Sequence, residues 1–192
     1  MCGNDFEVIV IGASTGGPKA IENLLKRLPQ NLGVAVLIVQ HMPKGFTKSF
    51  AERLNKCCNI EVLEASDGIA IEKNKVYVAA GGYHMEVLKG RKISLNEEPT
   101  IWGVRPAVDK LFISTSKVYK EKVISIILTG MGRDGAAGVI AIKDAGGTTI
   151  AQDEKSSTIY GMPKVAYETG LVDYIIPLDE IYFKINSLLN RL

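Results

Sequence analysis

No apolar stretch in the 192 residues approaches the ~20 that a membrane-spanning helix requires; Val34 to Val39 and Val123 to Leu128 are typical of the longest. The start, MCGNDFE, has no basic segment followed by an apolar one, so neither membrane insertion nor export is expected, and the expected compartment is the cytoplasm. Charge of one sign is also missing. Lys and Arg total 23 against 21 Asp and Glu, and a net +2 leaves no basic footprint for nucleic acid. Cysteine is scarce: Cys2, Cys57 and Cys58 make neither an even disulfide framework nor a C-x-x-C pair, so reduced thiols are expected. Histidine is scarcer still. His41 and His84, with scattered carboxylates, give no H-E-x-x-H or related spacing, so no metal is expected. No repeat, linker or low-complexity tract divides the chain, and residues 1–192 are expected to form one domain.

What is present is an alternation. Short β-branched runs are followed by amphipathic segments, with glycine at nearly every junction, which predicts a three-layer, doubly wound α/β fold on a mostly parallel sheet. Glu7 to Ile11 reads as a buried strand, Gly12 to Gly17 as a tight turn, and Pro18 as the first turn of a helix that carries Ile21, Leu24, Leu25 and Leu28 and stops at Pro29. Val34 to Val39 is the second strand, and a helix from about Thr47 to Asn55 follows, with Thr47 as its N-cap. Further strands are expected at Ile60–Leu63, Lys75–Ala79, Val123–Leu128, Thr148–Ala151 and Tyr174–Ile176. Met85 to Leu88 and Lys92 to Leu95, around KGR, read as a small antiparallel hairpin attached to the sheet. Helices are expected at Pro106–Tyr119, Ala136–Asp144, Pro163 to about Gly170, and Leu178–Leu189.

Ligands of open parallel sheets bind outside the carboxyl ends of the strands. Three junctions there carry chemistry: the first strand runs into Ser14, the second into His41, and Val123–Leu128 into Met131 and Asp134. A hydroxyl is a weak nucleophile unless an imidazole takes its proton, and the imidazole needs a carboxylate to fix its tautomer. Gly12-Ala13-Ser14-Thr15-Gly16 also matches G-x-S-x-G between a strand and a helix, the context of a nucleophile elbow. The amide of Thr15, at a helix N-terminus, is placed to hold an oxyanion. The chain order Ser, His, Asp differs from the Ser, acid, His of α/β-hydrolases, which implies a different fold.

Each residue has a structural alternative. The glycine turn packs a helix on the sheet, His41 flanks a helix, and Asp134 caps the helix after it. His84, in GGYHME, rivals His41 as the base, although His41 follows the strand expected beside the first. Nucleotide binding competes too, because VIVIGASTGG resembles a phosphate turn. However, the spacing is not G-x-G-x-x-G, Gln40 and His41 stand where an acid is needed, and Pro18-Lys19-Ala20 breaks a P-loop.

In order, the chain carries VIGASTGG, QHMP, GGYHME, RPAVD (Arg105 to Asp109), LTGMGRDGAAG, AGG and AQDEKSSTIYGMP. Together, from Val8 to about Tyr174, these blocks resemble the catalytic domain of the CheB family of chemotaxis protein-glutamate methylesterases. The resemblance implies hydrolysis of glutamate γ-methyl esters on chemoreceptor signalling helices, deamidation of receptor glutamines, and no cofactor. Ser14 would be the nucleophile, His41 the base and Asp134 its carboxylate, with the amides of Thr15 and Met131 at the oxyanion. Lys44, Arg105 and Arg133, by their loop positions, are candidates for binding an acidic receptor helix. Relatives usually carry an N-terminal receiver domain. Here the first strand begins within a few residues of Met1, so this chain is expected to hold the catalytic domain alone, as a monomer whose activity is either constitutive or controlled by a receiver domain or another protein. A dinucleotide-binding module and a silent helix-binding regulator stay open as alternatives.

Overall fold

The computed structural model describes residues 5–190. Nine strands and six α-helices follow one another as β1 (Val8–Ala13), α1 (Gly17–Leu25), β2 (Ala35–Gln40), α2 (Phe46–Cys57), β3 (Glu61–Glu64), β4 (Lys75–Val78), β5 (His84–Leu88), β6 (Lys92–Asn96), α3 (Val108–Tyr119), β7 (Val123–Ile127), α4 (Ala136–Asp144), β8 (Thr148–Gln152), α5 (Met162–Glu168), β9 (Tyr174–Ile176) and α6 (Leu178–Leu188). Seven strands form one sheet in the order β3-β4-β2-β1-β7-β8-β9. Each pairing in it is parallel. No helix among the described residues is long and apolar enough to cross a membrane.

The period-two alternation of β1 sorts its side chains between two cores. Ile9, Ile11 and Ala13 pack with Ile21, Leu24 and Leu25 of α1, Leu54 of α2, and Ile181 and Ile185 of α6. Val8 and Val10 face the other way, onto Leu111 and Phe112 of α3, Val139 and Ile142 of α4, and Ala166 of α5. Both faces of the sheet are therefore covered, which is why the central strands read as continuous apolar runs. Each fully buried Ile or Leu in these clusters contributes roughly 1.5–3 kcal/mol by removal from water. Gly12 is required where α3 meets β1, because a Cβ there would collide with the Val108 side chain.

Four sequence expectations change. α1 ends at Leu25, so Leu28 and Pro29 lie beyond it. β1 runs to Ala13, so Gly12 is strand rather than turn. The hairpin is not an extension of the sheet: β5 and β6 form a separate two-stranded sheet, whose Met85, Val87 and Ile93 pack in the α3 core. Thr47 is not an N-cap. Gly45, at φ 91°, starts α2 two residues earlier than the sequence suggests, and the Thr47 hydroxyl is buried instead, donating to Glu64 Oε1 at 2.6 Å and accepting from the Gly81 amide at 2.8 Å.

Candidate functional site

The chain winds from β1 to β2 on one side and returns, after α3, to β7 on the other, so β1 is where the winding reverses. The loops leaving β1, β2 and β7 therefore meet at one edge, the usual ligand crevice of such sheets. Parallel register sets the neighbours. Ala13 pairs with Gln40, and the His41 amide donates to the Ala13 carbonyl at 3.0 Å, so Ser14 and His41 leave adjacent strands side by side. From β7, the Ser14 amide is held by the Thr129 carbonyl at 3.1 Å. A Cβ on Gly130 would stand 2.8 Å from Ser14 Cβ and 3.0 Å from its nitrogen, so the backbone can close on the serine only because residue 130 is glycine.

His41 Nε2 donates to Asp134 Oδ2 at 2.7 Å, with the imidazole and the carboxylate both nearly buried. An acceptor-only carboxylate at Nε2 leaves the lone pair on Nδ1, the nitrogen still free to meet a proton donor. Ser14 itself is half-buried. Among the described residues its hydroxyl forms no hydrogen bond, so the Ser14 to His41 link is open in this resting geometry, as is common before substrate arrives. Ser14 is also not the strained residue of a nucleophile elbow: the positive φ of the turn falls on Gly16, at 81°. Neither the Thr15 nor the Met131 amide is taken up by an acceptor among the described residues, so both remain donors at the mouth of the site.

Asp134 does not cap the helix that follows it. Gly135 occupies that position. Its carboxylate instead receives the Val108 amide at Oδ2, 2.6 Å, and the Asp109 amide at Oδ1, 2.9 Å, which closes the N-terminus of α3. Asp109 returns the exchange: its Oδ1 accepts the amides of Gly135 at 3.0 Å and Gly138 at 2.8 Å, at the start of α4. Trp102 Nε1 donates to Asp109 Oδ2 at 3.2 Å. Burial and the neighbouring Asp134 raise the Asp109 carboxyl above its ordinary value, against the lowering effect of these hydrogen bonds.

Two buried glutamines lock the loops. Gln40 Nε2 donates to the carbonyls of Ser14, at 2.9 Å, and of His41, at 3.1 Å. Gln152 Oε1 accepts the Thr129 amide at 2.8 Å, while its Nε2 donates to the Ser156 carbonyl at 2.8 Å. Sequence reasoning missed Asp109, Gln40 and Gln152 as parts of the site. Their only signal is a polar residue closing an apolar strand, or lying within RPAVD.

His84 is fully buried and occupied on both nitrogens, with Nε2 on the Pro99 carbonyl at 3.0 Å and Nδ1 accepting the Ala107 amide at 3.2 Å. It ties the segment before α3 to the hairpin and reaches no open surface. Lys44 Nζ lies 5.2 Å from the Tyr83 ring, and the Arg133 guanidinium 5.1 Å from the Trp102 ring. Arg105 donates to the carbonyls of Glu97 and Glu98, at 2.7 and 2.9 Å. None of the three forms an ion pair among the described residues. An open pocket of about 300 Å³ adjoins His41, lined by Met42, Pro43, Gly103, Val104, Arg105 and Pro106. A larger cavity of about 440 Å³, beside Glu7, Lys73, Arg91 and Lys122, lies at the opposite edge of the sheet, away from all of these groups. Among the described residues no group of three or more His, Cys, Asp or Glu side chains is placed to hold a metal ion.

A doubly wound α/β domain that gathers a hydroxyl, an imidazole on a buried carboxylate and two vacant amides at one sheet edge has the layout of a serine hydrolase. The CheB methylesterase family model matches residues 9–185, and the chain belongs to that family. It is 56% identical over 178 residues to the protein-glutamate methylesterase/protein-glutamine glutaminase of Clostridium acetobutylicum, covering 93% of this chain and 52% of that protein. Against the protein of the same name from Pyrococcus abyssi it is 52% identical over 176 residues, covering 90% and 48%. Its fold superposes on the crystal structure of the Thermotoga maritima CheB methylesterase catalytic domain with a TM-score of 0.92 and 40% identity, covering 95% of this chain and 98% of the other. The chain thus spans about half the length of the curated relatives it matches.

Proposed function

We propose that this chain is a protein-glutamate methylesterase that hydrolyses glutamate γ-methyl esters on chemoreceptor helices in the cytoplasm, with protein-glutamine deamidation as a second activity of the same site. The observation that carries the reading is the bond from His41 Nε2 to Asp134 Oδ2, with Ser14 on the neighbouring strand end.

The chemistry follows from that arrangement. His41 Nδ1 takes the Ser14 proton as Oγ attacks the ester carbonyl, and Asp134 stabilises the imidazolium. The tetrahedral oxyanion is received by the Thr15 and Met131 amides, each such donor contributing about 2.7–4 kcal/mol to the transition state. His41 then returns the proton to methoxide, methanol leaves, and the acyl-Ser14 ester is cleaved by a water that His41 deprotonates. With glutamine the same proton goes to departing ammonia. Exposed Phe46, Trp102, Met131 and Ile159 ring this edge. Together with Lys44 and Arg133 they suit an amphipathic helix that carries carboxylates around the target side chain.

Methanol release from a methylated chemoreceptor fragment tests the reading, with the folding of each variant checked by circular dichroism. Release should vanish in Ser14→Ala and His41→Ala and persist in folded His84→Ala. No release by the intact chain, or release that survives Ser14→Ala, refutes it.

A further inference from the structure

We propose that Asp109 is a positioning residue of the hydrolysis, holding the Asp134 carboxylate against His41 through an exchange of helix caps and keeping a second negative charge behind it. The inference rests on the roles of His41 and Asp134 given above. An ordinary N-cap sits just before its own helix, but Ala107 and Gly135, in those positions, offer no side-chain cap. Instead α3 supplies the acceptor for α4 and the loop before α4 supplies the acceptor for α3. Neither carboxylate can shift without releasing amides on the other's helix.

Capping alone does not account for the residue type. Asparagine caps as well as aspartate, and two buried carboxylates side by side repel each other. Every group bonded to the pair is a donor: the amides of Val108, Asp109, Gly135 and Gly138, Trp102 Nε1 and His41 Nε2. The site is therefore built for two anions, their repulsion moderated by two helix N-termini. That repulsion is relieved when His41 becomes an imidazolium, as it must during turnover, so the second charge favours the reaction more than the resting state. The charged groups around Asp109 do not neutralise it. Arg133 lies over the Trp102 ring and forms no ion pair with Asp109 among the described residues, and Lys110, on the same helix, turns to Glu98.

Asp109→Asn is the informative variant, because its Oδ1 can keep both α4 amides while the charge goes. The Trp102 N–H then loses its acceptor, so a Trp102→Phe background removes that side effect. Comparing Trp102→Phe with Trp102→Phe/Asp109→Asn, kcat should fall ~10–100-fold with KM within about twofold, the signature of an interaction made in the transition state. The acid limb of the rate profile should move to lower pH. The melting temperature at pH 7 should hold or rise, because a carboxyl raised on folding costs stability once pH exceeds its folded value. A structural cap would give the reverse: lower stability with unchanged kcat and pH profile, which overturns the proposal. If the wild type releases no methanol, the esterase reading fails by itself, and the proton resonance of the His41 Nε2–H bond decides the rest. That signal should move upfield in Asp109→Asn if Asp109 positions Asp134, and its staying in place overturns the inference.

Discussion

Replacing Asp134 by asparagine should damage stability and turnover together, and the structure sets the size of each effect. The carboxylate accepts three donors, at 2.6 Å from Val108, 2.9 Å from Asp109 and 2.7 Å from His41. An amide has one oxygen, so in either orientation its NH2 faces at least one backbone N–H at the start of α3. Turning the NH2 toward Asp109 sacrifices one donor and spares His41, so this orientation should prevail. The orphaned buried donor costs about 1–3 kcal/mol, while the charge lost from the helix N-terminus is offset by the end of its repulsion with Asp109. For a chain of this size a total of about 1–3 kcal/mol lowers the melting temperature by roughly 2–12 °C. The tautomer is kept but the imidazolium loses its buried counter-charge, a loss of about 3–5 kcal/mol for a buried pair, so kcat should fall by about two to four orders of magnitude. Thermal unfolding and methanol release measure these, and hydrogen exchange locates the damage in the first turn of α3. An Asp134→Asn protein with unchanged melting temperature and protected Val108 and Asp109 amides would refute the dual role.

Gly130→Ala should leave secondary structure intact but push its new methyl against Ser14 Cβ and the Met162 sulfur, lowering kcat ~100-fold through misplacement of the nucleophile; activity within about twofold of wild type would contradict the close approach. Away from the site, burial alone would raise the Asp173 carboxyl, but the Lys143 ammonium and the hydrogen bonds from Thr149 outweigh it and hold it below its ordinary value. A depressed folded value means stability that is present above the unfolded carboxyl value and lost as pH falls. Urea titrations should therefore show wild type more stable than Asp173→Asn by a constant margin from about pH 5 to 7, closing below about pH 4, near the unfolded carboxyl value; a margin independent of pH would remove the ion pair as its cause.

The layered fold was legible because its signals are local: glycine at strand ends, Pro18 at a helix start, and apolar runs too short for anything but strands. Ser14, His41 and Asp134 stood out for the same reason, each directly following a strand or its turn. Relations set only in three dimensions were hidden. Thr47 has the type of an N-cap, yet the left-handed Gly45 starts the helix before it and Thr47 goes to Glu64 instead. Asp134 precedes a helix and caps a different one, 26 residues earlier in the chain at Val108. Nothing near His84 reveals that Pro99 and Ala107 occupy both its nitrogens. The hairpin has ordinary hairpin signals, but what it packs on depends on α3, which comes later in the sequence.

The two faces of the sheet are separate apolar clusters, and the site draws on both. Ser14 is held by the turn into α1, whose side chains lie in one cluster, whereas the carboxylate behind His41 is held between α3 and α4, in the other. How the hydroxyl meets the imidazole therefore depends on the seating of both layers as well as on the bonds that tie the strand ends together. Loosening either layer, even by a substitution far from the crevice, changes how they meet before the sheet itself gives way. Turnover by the proposed esterase site is therefore expected to gauge interlayer registration, fading on heating ahead of the loss of helix and strand.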